Sequence, residues 1–362
     1  ALDAALEHVG YDDLRERQER LREEGRYLGV GISCYIEACG IAPSELVGEL
    51  GAQTGLWENG VVRFAPSGTV LAYCGTASHG QGHATTYAQI VADELGVDYE
   101  DVEVIEGDTD EVPAGMGTYG SRSAAVGGSA LLESAQKVVE KARRIAAHHL
   151  EADAADIEFD DGEFFVAGAP DRSMTIQAVA AEAYTAHDLP DDVDPGLEAS
   201  TFYDPDNFTF PFGTHVAVVE VDPDTGEIAF VDYVGVDDCG NQINPKIVEG
   251  QIQGGVAQGI GQARYEGAVY DENGNLASGT MQDYTVPKAE HVPELTLDET
   301  VTPCPHNELG VKGVGEAGTI AAPQAVVNAV VDALEPFGID DLDMPLTDET
   351  VWAAVQDAEG GA

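Results

Sequence analysis

Basic side chains are scarce in this sequence. Its 362 residues include 16 Lys and Arg against 67 Asp and Glu, which gives a formal net charge of -51. Nucleic acids and anionic membranes bind proteins through Lys and Arg, so this shortage argues against both classes of partner. The acidic residues do not gather in one tail, and a body with so much like charge repels itself unless salt screens it. We therefore interpret the chain as a salt-adapted, halophilic type of protein.

Paired cysteines and long apolar runs are also missing. The five cysteines form no CxxC pair, so the sequence indicates neither an iron-sulfur cluster nor a zinc site, and reduced thiols are expected. No stretch of about 18 uninterrupted apolar residues occurs, so no transmembrane segment is expected. No signal-peptide pattern opens the sequence. Together these features predict a cytoplasmic protein.

The composition leaves room for a large core. The chain is 43% hydrophobic and contains 42 glycines, which suffices for two to three subdomains. Helical and strand-like periodicities both recur, and they predict an α+β fold of mixed sheets with packed helices. The acidic, proline-containing stretch 185–200 is the best candidate boundary. It divides the chain into predicted subdomains 1–195 and 196–362.

Periodicity and turn residues predict the main elements outside the candidate site. These are, in chain order, a charged helix (12–25), a strand (27–38), a hairpin (60–64 with 69–74), a strand (101–106), an Asp-Gly hairpin (156–168), a short helix (174–184) and two long strands (214–221 and 227–236).

One carboxylate lies among glycines at the start of an apolar helix. The stretch V-K-G-V-G-E-A-G (311–318) runs into apolar residues at helical spacing that continue to Leu334, with Pro323 suited to an early turn. The glycines remove Cβ atoms, so a bulky ligand can approach the main chain and the turn can use positive φ at little cost. Glu316 is therefore a candidate for contact with such a ligand. The alternative is a helix-start Glu that only complements the helix dipole.

A glycine-rich loop joins the second hairpin arm to a helix. It reads G-T-A-S-H-G-Q-G-H (75–83), and the helix ends at Gly96. A helix N-terminus after such a turn presents free N–H groups to an anion, so the local backbone geometry predicts phosphate binding. The Gln81 amide adds a donor and an acceptor. A plain tight turn is the alternative, and His79 and His83 are more simply hydrogen-bonding groups than metal ligands.

A second glycine-to-hydroxyl segment opens a long helix. G-M-G-T-Y-G-S-R-S (115–123) precedes a helical pattern that reaches about Glu151. Arg122 is one of the few cations outside the charged helix and stands among hydroxyls, as an anion contact would. A surface ion pair is the alternative role.

An amide-rich helix follows the second long strand. The strand ends in D-D-C-G-N-Q-I-N-P-K (237–246), and the helix beyond it carries Glu249, Gln251 and Gln253 among glycines. An inward amide needs a partner, because burying it unpaired costs roughly 1 to 3 kcal/mol. A large polar cofactor would supply such partners.

Six ordered motifs in this sequence resemble the C-terminal half of the molybdenum-binding large subunit of molybdenum hydroxylases. The likeness is to the xanthine dehydrogenase and aldehyde oxidase family, in particular its aerobic, copper-containing carbon monoxide dehydrogenase branch. It implies the fold of the second molybdopterin-binding domain and extends from about residue 5 to 355. The motifs are G-I-S-C-Y-I-E-A-C-G-I-A-P-S, G-Q-G-H-A-T-T-Y-A-Q-I-V-A-D-E-L-G, G-T-Y-G-S-R-S, F-P-F-G-T-H, D-D-C-G-N-Q-I-N-P-K-I-V-E-G-Q and K-G-V-G-E.

The resemblance implies a molybdopterin cytosine dinucleotide cofactor with molybdenum. It gives Glu316 the catalytic role of orienting or deprotonating the water whose oxygen enters the product, and it implies no direct metal ligand in this chain. The cofactor-binding residues that it implies are Gly80, Gln81, Gly82, His83, Thr118, Tyr119, Ser121, Arg122, Ser123, Cys239, Asn244, Gln251, Lys312, Gly313 and Gly315.

The resemblance also implies partners and a reaction. We expect the N-terminal half of the large subunit, a small subunit with 2Fe-2S clusters and a medium subunit with FAD. Copper would need the Cys-bearing loop that binds it in carbon monoxide dehydrogenases, and this sequence does not contain that loop. Oxidation of carbon monoxide to CO2 is the first expectation for the small-molecule substrate, and hydroxylation of an aldehyde or N-heterocycle is the alternative. A non-catalytic half-domain that binds partner subunits is the competing interpretation.

Overall fold

The structure is a computed structural model that describes residues 1–41 and 43–360. Residue 42 of the first motif and the last two residues of the second predicted subdomain lie outside the described residues. The helices within the described part are α1 (Leu2–Val9), α2 (Tyr11–Glu23), α3 (Ser44–Glu49), α4 (His83–Leu95), α5 (Ser129–His149), α6 (Ile176–Thr185), α7 (Pro245–Arg264), α8 (Ala317–Leu334) and α9 (Asp348–Gly360). The strands described there are β1 (Tyr27–Ile36), β2 (Glu58–Phe64), β3 (Val70–Cys74), β4 (Val102–Glu106), β5 (Ile157–Asp160), β6 (Glu163–Val166), β7 (Ala169–Thr175), β8 (Glu198–Tyr203), β9 (Phe212–Val221), β10 (Ile228–Asp238) and β11 (Thr296–Glu299).

A four-stranded sheet in the order β1-β9-β10-β11 is buried on both faces. Strand β9 alternates between two cores: Val216 and Val218 pack with α1 and α2, whereas Ala217 and Val219 pack with α7 and α8. Two opposite faces of one strand are thus apolar, which is why β9 reads as a continuous hydrophobic run.

Helix α8 lies directly on β1. A Cβ atom added at Gly29 would be 1.9 Å from the carbonyl oxygen of Ala329, and one added at Gly31 would be 2.1 Å from that of Ala325. Only glycine permits this approach. By length and composition alone the segment Ala317–Phe337 could cross a membrane, but packing against β1, β9 and α7 accounts for its apolar character.

A second four-stranded sheet, in the order β4-β3-β2-β8, packs against α4 and α5. Strands β3 and β4 are parallel, and α4 is the crossover between them. The loop between β3 and α4 therefore leaves the carboxyl end of a strand and enters a helix N-terminus, a common place for ligands in α/β units. A small antiparallel sheet of β5, β6 and β7 completes this half of the molecule.

The α+β class and most of the predicted elements are confirmed. Three local expectations were wrong or incomplete. Strand β7 was not expected, six residues of π-helix (Ser123–Gly128) precede α5, and α8 begins at Ala317, so that Pro323 lies inside the helix instead of in its opening turn.

The strand pairing does not follow the predicted boundary at residues 195 and 196. Strand β1 pairs with β9, and β8 pairs with β2, so each of the two larger sheets takes a strand from across that boundary. The acidic composition of 185–200 does mark an irregular connection between α6 and β8. Composition could not reveal the partner of the next strand, because strand pairing is a long-range property.

Candidate active site

The loops of the two larger sheets meet around a cavity of about 620 Å³. Its walls come from the β3-α4 loop, the segment before α5, the end of β10 with the start of α7, and the loop before α8. Main-chain hydrogen bonds hold these walls in place. The Lys312 N–H donates to the Cys239 carbonyl at 2.7 Å and joins two of them, and the N–H of Gly40, which follows β1, donates to the Gly120 carbonyl at 3.1 Å.

The structure brings almost all of the predicted site residues to this cavity. Gly82 and Arg122 are the exceptions. The predicted residues that line it are Gly80, Gln81, His83, Thr118, Tyr119, Ser121, Ser123, Cys239, Asn244, Gln251, Lys312, Gly313, Gly315 and Glu316.

Glu316 is exposed at the cavity wall and occupies the N-cap position of α8, yet its side chain does not cap the helix. The Ser121 hydroxyl donates to Glu316 Oε2 at 2.7 Å and accepts from the Glu316 N–H at 3.2 Å. Ser121 itself adopts a left-handed backbone with φ 49°. The carboxylate is therefore oriented by a neutral hydroxyl across the cavity, and the simple helix-dipole role does not describe it.

The glycines beside Glu316 serve close approach, not positive φ. A Cβ atom at Gly313 would be 2.2 Å from the Ser121 carbonyl oxygen and 2.6 Å from Cys39 Sγ, and one at Gly318 would be 2.4 Å from the Ile252 carbonyl oxygen. All three glycines of this loop avoid the left-handed region, so the expectation of positive φ was wrong. Gly315 differs, because its nearest atom across the open cavity is Ser121 Oγ at 3.7 Å.

The sequence interpretation gave Glu37 no role, although this residue lies in the first quoted motif. Its carboxyl group is a neighbour of the Glu316 carboxylate and the Ser121 hydroxyl. Burial, followed by the charge of Glu316 and contact with it, raises the pKa of Glu37 to about 7, and the Ser121 hydroxyl opposes the shift. No periodicity or spacing rule could have paired it with a residue 279 positions later.

The N-terminus of α4 suits an anion. Gly82, with φ 81°, occupies the N-cap position, and no side chain in the described part of the chain caps the helix. A Cβ atom at Gly80 would meet nothing within 4 Å, so the main chain there is open. The Gln81 amide instead turns back and donates to the Ala77 carbonyl at 3.3 Å.

His83 is held by a buried carboxylate. Its Nδ1 lies 2.8 Å from Glu106 Oε1, which also accepts from the Thr76 hydroxyl at 2.5 Å. This contact leaves Nε2 as the ring nitrogen without a hydrogen-bond partner among the described residues. The described residues contain no group of three or more His, Cys, Asp and Glu side chains that could hold a metal ion.

Arg122 is not an anion contact in the cavity. It is 0% exposed, and its guanidinium donates to Glu58 Oε2 at 2.7 Å and to the carbonyls of Gly117 and Leu56 at 2.6 and 2.7 Å. The surface ion pair considered from the sequence is equally inapplicable, since Glu58 is also 0% exposed. The error arose because the sequence does not reveal that β2 begins with a buried acid.

Several other wall residues have protein partners of their own. Lys312 Nζ lies 2.8 Å from Asp238 Oδ1 and 4.7 Å from the centre of the Phe212 ring. Asn244 Oδ1 caps α7 by accepting from the Ile247 N–H at 3.1 Å. Burial raises the pKa of the Cys239 thiol to about 12. These residues form the cavity wall, and the charge of Lys312 is already paired with that of Asp238.

The expectation of inward-facing amides on α7 holds only for one residue. Gln251 is half-buried and lines the cavity. Gln253 is exposed and donates to Glu249 at 3.0 Å on the outer surface. Period 3.6 separates these positions onto different faces of the helix.

A protein-family model and two similar proteins all relate this chain to molybdopterin-dependent enzymes. Residues 4–293 match the family model described as the molybdopterin cofactor-binding domain. The chain is 41% identical to the carbon monoxide dehydrogenase large chain of Hydrogenophaga pseudoflava, over 99% of this chain and 44% of the relative. The solved structure of reconstituted CO dehydrogenase from Oligotropha carboxidovorans aligns with a TM-score of 0.94 at 38% identity, covering 100% of this chain and 45% of that one.

A third relative acts on a different class of molecule according to its name. The structure of quinoline 2-oxidoreductase from Pseudomonas putida 86 aligns with a TM-score of 0.90 at 40% identity, over 98% of this chain and 45% of that one. The chain thus spans less than half the length of each of these relatives. The match over residues 4–293 establishes that this chain belongs to the molybdopterin cofactor-binding domain family, found in the large subunits of molybdenum-dependent oxidoreductases.

Proposed function

We propose that this chain is the segment of a molybdenum hydroxylase large subunit that binds molybdopterin cytosine dinucleotide and positions the catalytic base. The observation that carries the proposal is Glu316, which Ser121 orients at 2.7 Å on the wall of a cavity built from the predicted cofactor-binding loops. The relatives support it, because they are molybdenum-dependent oxidoreductases with about 40% identity over the whole chain.

The residues present fit such a cofactor. The uncapped start of α4 and the open main chain at Gly80 offer N–H groups for the pyrophosphate, and His83 Nε2 offers one more ring nitrogen. Gly315 leaves space where a Cβ atom would enter the cavity. When bound, the cofactor supplies the molybdenum that takes up two electrons from the substrate.

Glu316 acts in this proposal as the base for water. An ionised carboxylate within hydrogen-bonding reach of a water molecule accepts its proton and leaves the oxygen free to attack carbon, a contribution of about 10²- to 10⁴-fold. The Ser121 hydroxyl donates to Oε2 at 2.7 Å and so orients the carboxylate at the cavity wall. Gly313 allows this geometry by bringing the loop against Ser121.

Carbon monoxide is our first proposal for the substrate. It follows from the identity of 41% to a carbon monoxide dehydrogenase large chain. A second candidate is an aldehyde or N-heterocycle, and the 40% identity to a quinoline oxidoreductase supports the N-heterocycle. Copper distinguishes the two, because another similar solved structure, at 39% identity, is named as a Cu,Mo-CO dehydrogenase.

We also propose the partners and the setting. Since the chain spans 44% of its relative, the remainder of a large subunit would complete the cavity. Subunits with 2Fe-2S clusters and FAD would carry the electrons away. The net charge of -51 supports a salt-adapted protein, for which the cytoplasm of a halophile is the proposed location.

Metal analysis of the protein, purified at high salt with whatever subunits accompany it, tests the proposal. Molybdenum with roughly equal copper is expected for carbon monoxide oxidation. Molybdenum without copper would redirect the substrate to an aldehyde or heterocycle. Absence of both metals from the intact assembly would contradict the function and favour a non-catalytic half-domain that binds partner subunits.

A further inference from the structure

A second carboxyl group, that of Glu37, lies beside Glu316. Glu37 follows β1, where its N–H donates to the Pro211 carbonyl at 3.0 Å and so fixes the main chain. Its carboxyl group neighbours that of Glu316 and the Ser121 hydroxyl, both of which act on its pKa. Within the described residues, Glu37 Oε2 is buried and has no hydrogen-bond partner. A buried carboxylate oxygen without a donor is costly when charged, so this environment favours the protonated form.

Within the part of the chain that the structure describes, the groups that face Glu37 do not include a cation. Glu316 approaches from the start of α8, Ser121 from the segment before α5, and Tyr35 and Cys39 from its own part of the chain. The nearby cation of the cavity wall, Lys312, is paired with Asp238 at 2.8 Å. Ionising both of two neighbouring carboxyl groups without a cation costs free energy, because the negative charge of one raises the proton affinity of the other.

We propose that Glu37 is a positioning residue that shares one proton with Glu316. The proton resides on Glu37, whose O–H donates to the Glu316 carboxylate and holds it ionised in its orientation toward the cavity. This inference rests on the proposed function, in which Glu316 is the base. When Glu316 accepts a proton from water, the pair holds two protons, and the exposed Glu316 returns one to solvent before the next turnover.

The direction of the pH effect follows from the pair. Burial and the neighbouring carboxylate raise the pKa of Glu37 to about 7. Below that pH the pair carries one negative charge and Glu37 donates to Glu316. Above it both groups are ionised, the donated hydrogen bond is lost and the two carboxylates repel each other. We therefore expect kcat/KM to fall about tenfold from pH 7 to pH 9.

The Glu37→Gln substitution tests this role, because the amide still donates to Glu316 but cannot titrate. Turnover at pH 6 should fall about threefold, and the decline above pH 7 should disappear. Glu94→Gln is the matched control. Glu94 is a half-buried acid on α4 whose pKa is raised by burial and Glu308, and it lies outside the cavity. That variant should keep the activity and the pH profile of the unsubstituted protein.

A second readout does not depend on turnover. Infrared spectra of the unsubstituted protein minus the Glu37→Gln variant should show a protonated carboxyl band that titrates near pH 7. In Glu316→Gln the same band should titrate about one pH unit lower, since the charge of Glu316, one of the causes of the raised pKa of Glu37, is gone. A persistent alkaline decline in Glu37→Gln, or a band midpoint that does not move in Glu316→Gln, would overturn the shared-proton pair.

These measurements separate the two proposals. If the assembly contains no molybdenum, or if Glu316→Gln turns over normally, the proposed function fails while the infrared titration still decides whether the two carboxyl groups share a proton. If molybdenum is present and Glu316→Gln is inactive, but Glu37→Gln leaves the profile unchanged, the function stands and the role of Glu37 is wrong.

Discussion

Two adjacent residues, Ser121 and Arg122, hold two carboxylates in opposite ways. Ser121 offers a neutral hydroxyl to Glu316 at an exposed cavity wall, whereas Arg122 gives a full positive charge to Glu58 where both side chains are 0% exposed. A buried carboxylate that is paired with a cation has a structural role, because the cation neutralises its charge. A carboxylate held by a hydroxyl keeps its charge available for a proton. Adjacent residues therefore serve different ends: Arg122 stabilises the fold through Glu58, and Ser121 orients the carboxylate proposed to react.

Removing the charge of Arg122 should have the largest effect. Arg122→Met leaves Glu58 buried without its partner and the carbonyls of Gly117 and Leu56 without a donor. We expect the free energy of unfolding to fall by about 3 to 5 kcal/mol, measured by urea denaturation at high salt. Arg20→Met is the control, since Arg20 makes an exposed pair with Glu16 at 3.9 Å and should change stability by less than about 0.5 kcal/mol. Equal losses in both variants would remove the distinction.

Neutralising Glu316 should lower the turnover and leave the stability unchanged, in contrast to the loss of Arg122. Glu316→Gln keeps the shape and the contact with Ser121 but cannot accept a proton from water. We expect molybdenum content and stability to be retained while kcat falls at least about 100-fold, close to 2.7 kcal/mol in the activation free energy. Steady-state kinetics on metal-loaded protein measures this, with Glu94→Gln as the matched substitution. Normal turnover of Glu316→Gln would exclude it as the base.

Gly313 and Gly315 sharpen the comparison, because one faces protein and the other faces the cavity. In Gly313→Ala the new Cβ atom meets the Ser121 carbonyl at 2.2 Å, so the loop must shift and stability should fall by about 1 to 3 kcal/mol. In Gly315→Ala the nearest atom is 3.7 Å away, so stability should be unchanged while molybdenum content falls. Denaturation and metal analysis on both variants test this. The reverse pattern would mean that Gly315 does not border the cofactor.

The sequence predicted which loops lie at one cavity better than it predicted which strands pair. Short-range signals singled out the β3-α4 loop, Gln251 of α7 and Glu316, which line that cavity, because glycine turns and helical periodicity are local. They misplaced Arg122 and missed Glu37, because Glu58 and Glu316 lie 64 and 279 residues away from these partners along the chain. Strand pairing across the predicted boundary at residue 195 was missed for the same reason, since β1 and β8 each pair across it. Local motifs could be recognised in the sequence, whereas side-chain and strand partners that lie far apart along the chain could not.

Ser121→Ala should have the smallest effect of the four. It removes a donated hydrogen bond of 2.7 Å from Glu316 but leaves the carboxylate, the loop and the buried Arg122 pair in place. A single hydrogen bond of this kind contributes about 0.5 to 1.5 kcal/mol, so kcat should fall about two- to tenfold. Because the hydroxyl also opposes the raised pKa of Glu37, its loss should move the alkaline decline in kcat/KM to higher pH. Ser67→Ala, in the exposed hairpin turn, serves as the control. A shift of the decline to lower pH would show that Ser121 does not stabilise the ionised form of the carboxyl pair.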